Sequence, residues 1–215
     1  MNHLAGKFIV FDGPDGCGKT TQLATLITRL QSQGLDVCRL REPGGTPIGD
    51  QIREILLSTK NEKMDVRCEM LLYMASRAQL VQEQIKPALA AGQCVVADRY
   101  ASSTLAYQGG GGGMSAAEIQ EVAAIAVDGV WPDLTVVFDL DVDQAMARLH
   151  ARNVSGGQSH DRIEQRARDY FERVRQNFLW QAKQWPDRYR IVDAGKSIDQ
   201  VETQVHTVLQ DFFHE

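Results

Sequence analysis

Short apolar runs at 7–12, 36–40, 94–98, 134–140 and 189–193 are rich in β-branched and aromatic residues, and longer segments with apolar spacings of three and four separate nearly all of them. Runs of that length read as buried strands, and a 3.6-residue period reads as helix. The helical patterns lie over 19–33, 47–58, 66–91, 116–128, 142–152, 161–185 and 198–213. In 161–185 the core stripe is Ile163, Ala167, Tyr170, Val174, Phe178, Ala182 and Trp185; in 66–91 it is Met70, Met74, Ala78, Val81, Ile85 and Leu89. This alternation predicts an α/β fold, a three-layer sandwich whose parallel five-stranded sheet is flanked on both faces by helices. Two segments resist regular assignment, the glycine run Gly109–Gly113 and residues 153–160, and both read as mobile loops. With no internal repeat and no long linker, residues 1–215 are expected to form a single domain.

Between the first strand and the first helix stands Gly13-Pro14-Asp15-Gly16-Cys17-Gly18-Lys19-Thr20, followed by Thr21. This is G-x-x-x-x-G-K-[ST], a phosphate cradle. Its glycines let backbone N–H groups turn inward at a helix N-terminus, where the helix dipole favours an anion. Lys19 reaches the β and γ phosphates of a nucleoside triphosphate, and the Thr20 hydroxyl ligates Mg²⁺. The strand-loop-helix context favours a nucleotide-binding P-loop over the alternative, an ornamental glycine-rich turn.

Composition narrows the partners. A net charge of −5 gives no general attraction to nucleic acid, so a small anionic substrate fits better. No apolar stretch approaches the length needed to span a bilayer, so no membrane association and a cytoplasmic location are expected. Cys17, Cys38, Cys68 and Cys94 form no C-x-x-C pair and read as reduced thiols.

Open parallel α/β sheets gather ligands at the carboxyl ends of their strands. There the chain places Arg41-Glu42-Pro43-Gly44-Gly45-Thr46 after the second strand and Asp98-Arg99-Tyr100 after the third. Arg41 and Arg99 are forks suited to phosphate oxygens, and opposite a P-loop they imply a second phosphate-bearing substrate. The plainer alternative is ion pairing with Glu42 and Asp98. On helix 66–91, Tyr73 and Arg77 are an i,i+4 pair beside the core stripe, able to stack a planar base and donate hydrogen bonds to its edge. Their alternative is a cation-tyrosine contact on the helix surface.

The segment Asp98-Arg99-Tyr100-Ala101-Ser102-Ser103-Thr104-Leu105-Ala106-Tyr107-Gln108-Gly109 resembles the signature of thymidylate kinases, and Arg41–Thr46 resembles that family's second marker. The similarity runs from the P-loop through Asp161-Arg162-Ile163-Glu164 and covers most of the chain. It implies a nucleoside monophosphate kinase, usually homodimeric, that moves the ATP γ-phosphoryl group onto dTMP with Mg²⁺. Residue by residue, it gives Asp15 the deoxyribose 3′-hydroxyl, Tyr73 the face of thymine, and Arg77 and Thr104 the base edge. Tyr107 would sit where a ribose 2′-hydroxyl projects, Arg41 and Arg99 would hold the acceptor phosphate, and Asp98 would join Thr20 at the metal while orienting Arg99. Most relatives resemble phenylalanine at the Tyr73 position. Asp193-Ala194-Gly195 resembles the turn that passes near the donor adenine.

In this resemblance, the catalytic charge comes from Lys19, Arg99 and a further arginine. Some thymidylate kinases carry that arginine where this chain has Gly16, others in a lid before Asp-Arg-x-x-Glu. Here residues 153–160, the expected lid, contain no arginine. The candidates are therefore Arg152 and Arg162, which bracket the segment. Two other readings stay open: a kinase for a different nucleoside monophosphate, and a switch that binds ATP without transferring phosphate.

Overall fold

Each of the five apolar runs forms a strand in the computed structural model, which describes residues 2–156 and 161–214. The strands are β1 (Phe8–Asp12), β2 (Val37–Arg41), β3 (Cys94–Asp98), β4 (Leu134–Asp139) and β5 (Tyr189–Asp193). They pair in parallel in the order β2-β3-β1-β4-β5, with Ile9 of β1 opposite Val96 on one side and Leu134 on the other. The helices are α1 (Lys19–Ser32), α2 (Pro47–Leu57), α3 (Val66–Leu80), α4 (Lys86–Ala90), α5 (Ala101–Thr104), α6 (Ala116–Val127), α7 (Val142–Gly156), α8 (Arg168–Gln184) and α9 (Ile198–His214).

The continuous apolar strands are explained by a period of two with both faces covered. Phe8 and Val10 of β1, with Val95 and Ala97 of β3, pack under Leu80, Val81, Ile85 and Tyr100. Their neighbours Ile9, Phe11, Cys94, Val96, Val136 and Phe138 point the other way, onto Leu23 and Leu30 of α1 and Val201, Val205 and Leu209 of α9. Each such side chain contributes roughly 1.5–3 kcal/mol by leaving water. Helix starts follow from local chemistry: Thr46 caps α2 by accepting the Gly49 N–H at 3.0 Å ahead of Pro47, and Asp65 caps α3 through the Arg67 N–H at 2.9 Å.

Four expectations need correction. The segment 66–91 stays helical but widens into a π-helical turn at Val81–Ile85. Pro87 lies just beyond, where its ring excludes the Glu83 carbonyl from a normal helical bond. The helix expected over 161–185 begins only at Arg168. Asp161 Oδ1 accepts the N–H groups of Ile163 and Glu164 at 2.8 and 2.9 Å, and the Arg162 N–H donates to Leu57 O, so residues 161–167 turn instead. The helical period carried no sign of that competing side chain.

The first three residues of the glycine run are not a loop: α5 leads into a π-helical turn, Leu105–Gly111, packed against α8, and only Gly112 and Gly113 follow it as turn and irregular chain. A Cβ on Gly111 would stand 2.5 Å from the Tyr170 ring, so the glycine permits close approach there and supplies no looseness. Finally, α7 continues to Gly156, so the first half of the expected 153–160 loop is helix, and residues 157–160 lie outside the described residues. No helix among the described residues is long and apolar enough to cross a membrane.

Candidate active site

The central position of β1 between β3 and β4 brings the P-loop beside the start of α5, where the Arg99 N–H donates to Phe11 O at 2.9 Å. A cavity of about 700 Å³ opens over this edge, within the range of small-molecule sites. Asp15, Gly16, Gly18, Lys19, Thr20 and Thr21 line it, whereas Gly13, Pro14 and Cys17 are buried and do not. Gly18 precedes α1 in the left-handed conformation, φ 88°, with no side-chain cap, so the helix N-terminus faces the cavity. Lys19 folds back over the loop, its Nζ donating to Gly13 O at 3.4 Å and Pro14 O at 3.3 Å. At Gly16 a Cβ would stand 2.4 Å from the Ala145 carbonyl of α7, so this loop has no room for a side chain of its own at that position. Burial raises the Cys17 thiol.

Arg99 is held from several directions. Its Nη1 donates to Asp12 Oδ1 at 3.2 Å, Gly13 O at 3.0 Å and Ser103 Oγ at 2.9 Å, and its Nη2 to Asp15 Oδ1 at 2.6 Å and the Tyr107 hydroxyl at 3.0 Å. The residue adopts φ 75°, a left-handed backbone that a side chain normally avoids and that this network sustains. Tyr107 donates to Asp15 Oδ2 at 2.7 Å, and the guanidinium lies 4.9 Å from its ring centroid. Burial alone would raise the Asp15 carboxyl, but Arg99, Lys19 and Tyr107 outweigh it and hold it down at about 2. Asp98 was expected to orient Arg99; instead it accepts the Thr20 hydroxyl at 2.8 Å, while Asp12 and Asp15 hold the arginine.

Across the cavity, Tyr73 and Thr104 line the wall, but Arg77 does not. Arg77 is 1% exposed and not on the helix surface: its Nε and Nη2 both meet Glu42 Oε2, at 2.8 and 2.7 Å, and its Nη1 donates to Thr104 Oγ1 at 3.1 Å. Burial pushes the Glu42 carboxyl up to about 7 against the pull of Arg77. Arg41 therefore lacks the Glu42 partner considered for it, and it lines the cavity.

Arg53 of α2 lines the same cavity and is a residue the motifs did not reveal. Its Nη1 donates to Pro43 O at 3.0 Å, and burial together with Arg41 lowers its pKa. The available signal was a charge on the same face of α2 as the buried Gly49 and Leu56. Arg148 and Arg152, one turn apart on α7, also line the cavity. Arg148 donates to Ala194 O at 3.1 Å, and Arg152 pairs with Glu164. Arg162 is not among the lining residues: it is 3% exposed and lies against Glu69 at 2.6 Å.

Thr20 and Asp98 supply two hard oxygen donors at the cavity edge, and no group of three or more His, Cys, Asp or Glu among the described residues could hold a metal by itself. That set fits Mg²⁺, which is bound through one or two carboxylates together with substrate phosphates and waters.

The thymidylate kinase family model matches residues 11–205. The chain is 44% identical to the thymidylate kinase of Ectopseudomonas mendocina over 206 residues, covering 96% of both chains. It is 42% identical to that of Pseudomonas syringae pv. tomato, covering 97% of both, and 41% identical to that of Latilactobacillus sakei subsp. sakei, covering 96% of this chain and 95% of the other. With the phosphate cradle, the Arg99 network and the aromatic wall in one cavity, this match places the chain in the thymidylate kinase family.

Proposed function

We propose that the chain transfers the ATP γ-phosphoryl group to dTMP, giving dTDP and ADP for dTTP synthesis. One observation carries this reading most directly: the P-loop carboxylate Asp15 and the strand-end Arg99 meet at 2.6 Å, so a triphosphate cradle and a phosphate-binding guanidinium share one cavity.

Transfer between two phosphates needs alignment and positive charge more than a strong base, because the nucleophile is already an oxyanion. Lys19 leaves the carbonyls of Gly13 and Pro14 for the β and γ phosphates. Arg99, with Arg41 and Arg53, holds the acceptor phosphate against the electrostatic repulsion of the donor. Thr20 and Asp98 would hold Mg²⁺, which would supply charge neutralisation at the donor phosphates. As the acceptor phosphate takes Arg99, the Asp15 carboxylate is released to accept a hydrogen bond from the 3′-hydroxyl of the sugar. Tyr73 stacks on thymine, Thr104 addresses the base edge with Arg77 fixed behind it at 3.1 Å, and Tyr107 closes the space a ribose 2′-hydroxyl needs. Arg152 supports this scheme as the additional transition-state cation, because it lines the cavity and Arg162 does not.

The enzyme works in the cytoplasm as a homodimer. Leu71 of α3 and Ile125 of α6, 53% and 80% exposed, support such an interface; a sedimentation mass equal to one chain would remove it. For the activity, ADP release is coupled to a recording assay with dTMP, dUMP, dCMP and AMP in turn. Release that depends on the monophosphate and is fastest with dTMP is expected. A purine preference, or slow hydrolysis indifferent to the monophosphate, would overturn the reading.

A further inference from the structure

One buried carboxylate belongs to neither phosphate site. Glu69 lies in the first turn of α3 and is 1% exposed. Its oxygens face different parts of the chain: Oε1 accepts from Gln108 Nε2 at 2.7 Å, and Oε2 lies 2.6 Å from Arg162 Nη2 and 3.4 Å from Arg166 Nη2. Gln108 belongs to the glycine-rich π-helical turn, and Arg162 and Arg166 to the turn segment 161–167. Arg162 is also fastened to the end of α2, its Nε donating to Leu56 O at 2.8 Å and its N–H to Leu57 O at 3.2 Å.

What these partners adjoin is informative. Gln108 lines the cavity, and so does Tyr73, one helical turn beyond Glu69. Leu57, Asp161, Ile163 and Glu164, the neighbours of the Arg162 anchor, line it too. Glu69 and Arg162 do not. The carboxylate thus stands behind the acceptor side of the cavity and joins its two walls, one made by α3 and the π-helical turn, the other by residues 161–164.

Resting on the kinase reading above, we propose that Glu69 is a positioning residue that sets the separation between these walls and thereby the fit of the nucleoside monophosphate. A buried carboxylate is retained only when its charge and lone pairs are satisfied, and here the partners satisfying it come from both walls. Without the charge, Arg162 has no counter-ion in its buried place and must move toward other acceptors or water, taking Asp161 and Ile163 with it. A base stacked on Tyr73 tolerates little such movement, since misplacement of about 1 Å can cost about a hundredfold in rate. The P-loop is untouched by Glu69, so the donor nucleotide should not sense the change.

The test uses equilibrium binding of the monophosphate that the wild-type enzyme turns over, ATP binding, and thermal melting. Glu69→Gln keeps an acceptor for Gln108 and removes the charge. Its dissociation constant for the monophosphate is expected to rise about tenfold or more, with ATP binding within about twofold of wild type. Because that variant leaves a buried cation unpaired, the double variant Glu69→Gln/Arg162→Met is measured beside it. It should melt higher than Glu69→Gln, since a buried pair replaced as a unit leaves no orphaned charge. Its monophosphate affinity should stay low. Wild-type monophosphate affinity in either folded variant, or an equal loss of ATP affinity, overturns the proposal and leaves Glu69 a purely structural residue. Turnover of a monophosphate other than dTMP by the wild type would instead fail the kinase reading, and the same comparison made with that nucleotide still decides the role of Glu69.

Discussion

Asp15 and Arg99 form one closed unit: Arg99 Nη2 donates to Asp15 Oδ1 at 2.6 Å, and the Tyr107 hydroxyl bridges them by donating to Oδ2 and accepting from Nη2. The P-loop and the strand-end arginine are therefore coupled before any ligand arrives. An acceptor phosphate must take Arg99 from this carboxylate, and the exchange frees an acceptor beside the sugar. Arg99 thus holds the P-loop carboxylate in the structure and, in the proposed mechanism, the acceptor phosphate.

The pair has a pH signature. Asp15 titrates near 2 in the folded chain and near 4 in an unfolded one. A carboxyl whose folded pKa is depressed contributes stability that is present above its unfolded pKa and lost as pH falls through the folded value. With a quarter of its side chain exposed, the contribution should be at most about 2 kcal/mol. Urea denaturation of wild type and Asp15→Asn should differ by that order at pH 7, and the difference should shrink steadily from pH 5 towards pH 2. A difference that does not change across this window would contradict the assignment.

Arg77 and Glu42, at 1% and 3% side-chain exposure, are a buried pair whose members depend on one another. Arg77→Met leaves Glu42 without its counter-ion and should cost about 3–5 kcal/mol. Adding Glu42→Leu removes the orphaned carboxylate, so the double variant should recover a large part of that loss in the urea midpoint. Recovery in stability without recovery of dTMP binding would separate the core ion pair of Arg77 from its proposed part in reading the base edge.

These pairs mark the boundary of what the chain discloses before folding. The strands were legible because Phe8–Phe11 and Cys94–Ala97 are apolar on both faces, which only a covered parallel sheet explains. The phosphate cradle was legible because its spacing is chemical. Partner choice was not: Glu42 follows Arg41 in sequence yet pairs with Arg77, thirty-five positions away. Likewise, Arg162 lay beside a convincing helical stripe that began at Ile163, yet Asp161 captures the Ile163 and Glu164 N–H groups, and the Arg162 side chain lies against Glu69. Arg53 escaped because a cation on a helix face carries no motif. Each of these depends on contacts between segments far apart in the chain, and periodicity reports only on neighbours.

Among the described residues, Lys19 Nζ hydrogen-bonds within its own loop, at Gly13 O, Pro14 O and Cys17 Sγ. Its main work is therefore expected where charge develops during transfer. Lys19→Ala should lower kcat by about 10²–10³, the size seen when one preorganised donor is removed. Binding of dTMP, for which Tyr73 and Arg99 are the proposed contacts, should change by less than about threefold. Rapid-quench single-turnover rates combined with equilibrium titration check both halves. A large loss of dTMP affinity with kcat preserved would move Lys19 to the acceptor side.

The two arginines that bracket residues 153–160 now have different expectations. Arg152 lines the cavity, is 58% exposed at its side chain, and is paired with Glu164, a contact that a polyphosphate can displace. Arg162 is 3% exposed, bound to Glu69 and Leu56, and has no such freedom. Arg152→Ala should therefore lower kcat by two or more orders with nucleotide affinities nearly unchanged, as expected for a group that meets charge only in the transition state. Arg162→Ala should instead lower the melting temperature, because it removes the nearer cation from buried Glu69 and leaves Arg166, at 3.4 Å, to balance its charge. Steady-state kinetics and thermal melts on both variants decide the matter. If Arg152→Ala retains near-normal kcat, the additional cation must come from elsewhere, and Arg148, one turn earlier on α7 and also facing the cavity, is the next to replace.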